Sequence, residues 1–141
     1  MECKVNWLGN GGMAFSAEVG SGHLVNMDGA PEAGGRNLAP RPMELLLAGA
    51  GGCSAFDVVM ILKKARQDIR GCEVKLSSTR AEEDPKVFTS IHMTFVVTGK
   101  NLDPNRVQKA VQLSHDKYCS ATVMLGKTAT ITQSVEIKEV E

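Results

Sequence analysis

The run MELLLAGAGGCSAFDVVMIL (Met43–Leu62) is apolar on nearly every side. A helix of that composition has no polar face to offer to water, so it has to be covered all round. Pro42 suits its first turn, where the missing N–H costs nothing. Lys63, Lys64, Arg66 and Gln67 give it a solvated end, with cations where the helix dipole favours them, and Gly71 suits the stop. One helix is therefore expected from Met43 to about Gln67. Its length would also reach across a bilayer. However, Glu44 and Asp57 lie inside it, and a central acidic group costs about 2.5–3.5 kcal/mol on insertion. Gly49, Gly51 and Gly52 favour close packing on protein instead. No membrane partner is expected. The rest of the chain has too few elements to enclose such a helix, so a second copy is expected to help, which makes the protein a homodimer.

The other elements read as strands with one further helical region. Val5 and Trp7, then Met13, Phe15, Ala17 and Val19, alternate with more polar neighbours, the period of a half-buried strand. GNGG (Gly9–Gly12) and GSG (Gly20–Gly22) read as the turns, and residues His23–Asp28 as a third strand. Ala30–Pro42, with Pro31, Gly34, Gly35 and Pro40, is a loop. After the long helix, Val74, Leu76 and Ser78 alternate, as do Val87, Thr89, Ile91, Met93, Phe95 and Val97. The polar segment Ala81–Lys86 joins these two strands. Asp103-Pro104 is an N-cap followed by proline at N1. Val107, Ala110, Val111 and Ser114 make a helical stripe, and Tyr118-Cys119-Ser120 interrupts it before a short piece that ends at Gly126. The last strand turns Ala129, Ile131, Val135 and Ile137 inward. The order is β-β-β-α-β-β-α-β, an α+β chain. Its 141 residues show no repeat or linker, so a single domain over 1–141 is expected.

Charge narrows the function. Sixteen basic residues balance sixteen acidic ones, and aromatics make up only 4%. A nucleic-acid binder usually shows a basic excess and stacking surfaces, so no nucleic-acid partner is expected. The opening MECKVNWLGN has no apolar core of a secretory signal. A cytoplasmic, reducing location is the expectation, and there a persistent cysteine pair is more often redox-active than structural.

Four cysteines are present, with no C-x-x-C among them. Cys53 lies in GAGGCSAFD. If Gly51-Gly52 breaks the helix, Cys53 stands near the amino end of a new one, where the dipole favours thiolate. An inert buried cysteine fits the same composition. Cys119, in HDKYCSATVML, sits at a helix break where it can meet free backbone N–H groups, or it too is inert. His115 is one turn earlier and is a possible proton partner, though a lone surface histidine reads the same way. Cys3 and Cys72 have no evident role. A zinc centre from Cys53, Cys119 and His115 lacks short-range ligand pairs and a clear fourth donor, so neither a metal nor an organic cofactor is expected. GNGG and AGGR lack the context of a phosphate loop. Glu44, in the first helical turn, complements the dipole or orients an arginine. Arg36 and Arg41 in the loop just before it are the candidates.

PMELLLAGAGGCSAFDVV (Pro42–Val59), KYCSATVML (Lys117–Leu125) and the element order together resemble the OsmC/Ohr family along essentially the whole chain. The resemblance implies an intertwined homodimer whose long central helices are enclosed by sheets. It implies a thiol peroxidase acting on organic hydroperoxides in oxidative-stress defence. By motif match Cys53 is the attacking residue and Cys119 the resolving one, which closes a disulfide. The reductant implied is a dithiol, such as a lipoylated protein. Three features depart from the family pattern. GNGGMAF carries no arginine, Glu44 comes one residue late after Pro42, and Ser120 rather than proline follows Cys119. One residue turns a helix position by about 100°. A non-enzymatic dimer that binds an apolar ligand and a redox sensor are the competing functions.

Overall fold

A computed structural model describes residues 1–141. The chain forms two compact units, Met1–Leu47 and Ala48–Glu141.

The first unit carries β1 (Cys3–Trp7), β2 (Phe15–Val19) and β3 (Leu24–Met27) as an antiparallel sheet in that order. Cys3 pairs with Val19, Trp7 with Phe15, and Phe15 with Met27. The GNGG turn works through left-handed backbone at Gly9, Asn10 and Gly11, with φ of 72°, 56° and 70°. The Trp7 indole N–H closes it by donating to the Gly12 carbonyl at 2.9 Å. One expectation needs correction. Alternation in β1 suggests a half-buried strand, yet every residue of β1 is exposed, with Val5 at 52% and Trp7 at 58%. β1 is the outer strand of the sheet, paired on one side only. Ala17 in β2 is the sheet's buried residue.

The loop after β3 is tied around Asp28, which is 2% exposed. Its carboxylate accepts the N–H groups of Gly29 at 2.7 Å, Leu38 at 3.1 Å and Arg36 at 3.2 Å. Gly35 passes so close to the Gly29 carbonyl that a Cβ there would collide with it. The Leu38 N–H above all, then those of Gly29 and Arg36, hold the Asp28 carboxyl below its ordinary value of 3.8. The stability this contributes is fully present above pH 3.8 and is lost as pH falls through the lower folded value. Asp28→Asn would turn an amide nitrogen toward backbone donors. The variant is expected to lose this acid-dependent part of its stability, so that its stability varies less with pH on the acid side. The fluorescence of Trp7, the only tryptophan, reads this unit directly. Parallel acid unfolding curves for both proteins would show that Asp28 plays no such part.

The second unit is built on β4 (Asp68–Arg80), β5 (Phe88–Lys100) and β6 (Thr130–Glu139), in the sheet order β4-β5-β6. β4 and β5 are an antiparallel hairpin, and β6 lies parallel to β5. A parallel neighbour needs a crossover, and α2 (Pro104–Leu113) with α3 (Ser120–Leu125) supplies it. The Asp103 carboxylate caps α2 by accepting the Asn105 N–H at 2.9 Å, as its sequence position suggests. Ile91, Met93, Phe95 and Val97 turn into the core as expected, but at the start of β5 it is Phe88, not Val87 or Thr89, that is buried. Thr79 pairs with Ser90 while Arg80 pairs with Phe88. This bulge inserts Thr89 as an extra residue and shifts the alternation by one.

The helix α1 runs unbroken from Pro42 to Lys64. It ends a turn earlier than the polar residues suggest, and Gly51-Gly52 does not interrupt it. Gly51 serves contact instead. It is buried, and a Cβ there would lie 2.8 Å from Cδ1 of Leu76 on β4. α1 buries Ala50, Gly51, Ser54, Val58 and Leu62, while Phe56 and Met60 remain 64% and 40% exposed. By length and composition it is also the one helix that would suffice to cross a membrane.

Candidate active site

Cys53 and Asp57 are one helical turn apart on α1 and therefore share a face. Across from them the backbone leaves α2 through a π turn, Ser114–Tyr118, and re-enters a helix at Ser120 with Cys119 as the N-cap. Such wide turns recur at functional sites. This path brings the Cys53 and Cys119 sulfurs and an Asp57 carboxylate oxygen within 4.8 Å of one another. Cys53 and Asp57 are half-buried, whereas Cys119 is fully buried. Both thiols are free.

The surroundings treat the two thiols differently. The Cys119 sulfur accepts the Ser54 hydroxyl at 3.3 Å and the Thr122 N–H at 3.4 Å. Thr122 also donates its hydroxyl to the Cys119 carbonyl at 3.2 Å. Burial alone would raise the Cys119 thiol, but the donors from Ser54, Thr122 and Cys53 outweigh it and bring it below the ordinary 9.0. Cys53 moves the other way. Burial pushes it up, the Ala121 N–H opposes this only in part, and the charges of Cys119 and Asp57 add to the rise. Asp57 is itself held by the Ser114 hydroxyl, which donates to Oδ2 at 3.0 Å.

The helix-break expectation thus fails for Cys53 and holds for Cys119. Cys53 stands mid-helix in α1, and the backbone N–H that acts on it is that of Ala121 in the first turn of α3. Cys119 caps a helix and meets the Thr122 N–H.

The other candidates lie as follows. Glu44 accepts the Arg41 backbone N–H at 2.9 Å, with the Arg41 guanidinium 3.5 Å from the same oxygen. This is the reciprocal half of a capping box at the start of α1. The Arg41 N–H, then its side chain, hold the Glu44 carboxyl below its ordinary 4.5. Arg36 donates Nη2 to the Asn10 carbonyl at 2.9 Å, and its guanidinium lies over Gly12 of the β1–β2 turn. His115 is not in the Cys53–Asp57–Cys119 cluster. It lines a separate hollow of about 320 Å³ with Thr122, Lys127 and Ile131. Cys3 is exposed on β1, and Cys72, half-buried on β4, borders an apolar groove along α1.

Sequence reasoning missed Ser54, Asp57, Ser114 and Thr122. Asp57 had a signal in its four-residue spacing from Cys53. Thr122 had one in the three-residue spacing from a capping Cys119. Ser114 had none, because only the π turn aims it at Asp57.

The family model for OsmC-like protein matches residues 34–134. The chain belongs to the OsmC-like family. Protein YhfA of Escherichia coli strain K12 is 50% identical over 137 residues, covering 97% of this chain and 98% of its own. Among solved structures, a hypothetical protein from Aquifex aeolicus VF5 is 28% identical with a TM-score of 0.85, covering 99% of this chain and 97% of that one. The organic hydroperoxide resistance protein OhrB of Bacillus subtilis is 24% identical with a TM-score of 0.61, covering 98% of each chain, and shares the fold. In this OsmC-like chain Cys53 and Cys119 both lie within the matched residues, and their sulfurs meet.

Proposed function

We propose that this protein is a thiol peroxidase that reduces organic hydroperoxides in oxidative-stress defence. The observation that carries this reading is the meeting of Cys53 and Cys119 as free thiols, one reachable from solvent and the other buried and hydrogen-bonded. The name of the Bacillus subtilis structural relative points to the same class of substrate.

The roles follow from access and charge. Cys53 is the thiol a peroxide can reach, so it attacks. Its sulfur bonds to the terminal hydroperoxide oxygen as the O–O bond breaks. The thiol and ROOH become Cys53 sulfenic acid and ROH, so the peroxide is reduced and the sulfur oxidised. Cys119, whose neighbours favour its thiolate, then attacks the sulfenic sulfur. A disulfide forms and the oxygen leaves as water. A dithiol reductant, such as a lipoylated protein, exchanges with the disulfide and restores both thiols. The cycle needs a reducing dithiol pool, which suits a cytoplasmic location. It draws on neither a metal nor an organic cofactor.

The working form we propose is a homodimer acting as a single functional domain per chain. Its support is the exposed apolar side of α1, where Phe56, Val59 and Met60 line a groove of about 500 Å³. Asp57 and the Cys53 thiol on this helix suit protein more than lipid as the covering phase.

A single-turnover assay with a lipid-like hydroperoxide tests the function. Rapid loss of two thiols per chain is expected, faster than with hydrogen peroxide. Tight binding of the hydroperoxide with both thiols intact would overturn the reading in favour of an apolar-ligand binder.

A further inference from the structure

The sequence offers His115 as the third donor beside the two cysteines, and with it no convincing metal centre. The fold replaces it with Asp57. We infer that Cys53, Asp57 and Cys119 form a binding site for a thiophilic divalent cation, with zinc the best match.

Three observations carry this. The first is proximity. Zinc takes thiolate sulfur at about 2.3 Å and carboxylate oxygen at about 2.0–2.2 Å in a tetrahedron, so neighbouring donors sit roughly 3.5–3.8 Å apart. The three donor atoms already lie within 4.8 Å of one another, and a contraction of about 1.3 Å at most closes the set around a metal. The second is orientation. The Ser114 hydroxyl donates to Asp57 Oδ2 at 3.0 Å and so fixes the carboxylate. The Ser54 hydroxyl and the Thr122 N–H hold the Cys119 sulfur in place at 3.3 Å and 3.4 Å. Outer partners of this kind fix donor geometry in metal sites. The third is donor chemistry. Two thiolates and one carboxylate select a soft to borderline cation over magnesium or calcium, which prefer all-oxygen shells. Three protein donors leave a fourth position open, and two of the three, Cys53 and Asp57, are half-buried and not sealed in the core.

Binding releases the thiol protons still present and changes no oxidation state. A bound zinc would occupy both sulfurs, so metal and disulfide exclude each other. That consequence for turnover rests on the peroxidase reading, while metal binding itself does not.

The test uses the reduced full-length protein in metal-free buffer. Zinc chloride is titrated in competition with a chromogenic chelator, and cobalt(II) is used separately to read thiolate-to-metal charge transfer. One zinc per chain is expected, together with a near-ultraviolet thiolate–cobalt band. Cys53→Ser and Cys119→Ser should each weaken binding on the order of a hundredfold, and Asp57→Asn roughly 10-fold or more. Cys72→Ser should bind as the parent does. Stoichiometric binding that survives Cys53→Ser and Cys119→Ser would overturn the inference, as would unchanged affinity in Asp57→Asn or no uptake at micromolar zinc. Hydroperoxide turnover measured with excess chelator separates the two ideas. Turnover without zinc uptake defeats the metal site alone, and zinc uptake without turnover defeats the peroxidase reading alone.

Discussion

Cys53→Ser is expected to abolish hydroperoxide consumption, a loss of several orders of magnitude in rate. Serine keeps the size of the side chain but not a nucleophile that ionises near neutral pH. Cys119→Ser is expected to behave differently. Its first turnover should proceed, because Cys53 remains. No thiol then waits within 4.8 Å of the sulfenic sulfur. A second equivalent of hydroperoxide should take Cys53 on to sulfinic acid and end the proposed cycle. Intact-mass spectrometry after one and after many equivalents reads this directly. A gain of two oxygens on Cys53 in the Cys119→Ser protein supports the order of events. If Cys119→Ser is dead at the first turnover while Cys53→Ser still consumes peroxide, the roles are reversed. The more acidic Cys119 would then be the attacking residue.

The second large effect concerns α1. Ala50 is fully buried within the chain. Ala50→Asp places a carboxylate with no partner among apolar groups, a cost of about 3–5 kcal/mol or a strongly raised pKa. That matches much of the total stability of a domain, about 5–15 kcal/mol. Loss of soluble, cooperatively folded protein is the expected result. Phe56 offers the contrast, being 64% exposed in the single chain and lining the apolar groove. Phe56→Glu should leave the contacts within the chain alone and remove the dimer. Analytical ultracentrifugation of the parent at micromolar concentration should show the dimer alone. A folded monomer there would defeat the obligate assembly, and a Phe56→Glu dimer as tight as the parent would move the interface elsewhere.

How far the sequence carries depends on whether a feature is local. The cap at Asp103, the hairpin of β4 and β5, and the strand–helix order are written in short stretches, and the structure has them. The two cysteines stand out through their motifs, and the fold does bring them together. What escapes the sequence is decided by contact. Gly51-Gly52 looks like a helix break because glycine is a poor helix former, about 1 kcal/mol worse than alanine. Packing of Gly51 on Leu76 needs the missing side chain and keeps the helix whole. An unbroken helix then denies Cys53 the amino-terminal dipole, and burial raises its thiol. Asp57 reads as an obstacle to membrane insertion until the π turn delivers Cys119 and Ser114 to it. The bulge at Thr89 is invisible because both phases of the alternation offer apolar residues.

Peptide mapping after brief exposure to an organic hydroperoxide tests the central claim most directly. The reduced protein is treated with one equivalent, trapped in acid, alkylated and digested without reductant. A single Cys53–Cys119 linked peptide is predicted, with Cys3 and Cys72 recovered as alkylated free thiols. Four free thiols under excess hydroperoxide, or a bridge through Cys3 or Cys72, would contradict the account.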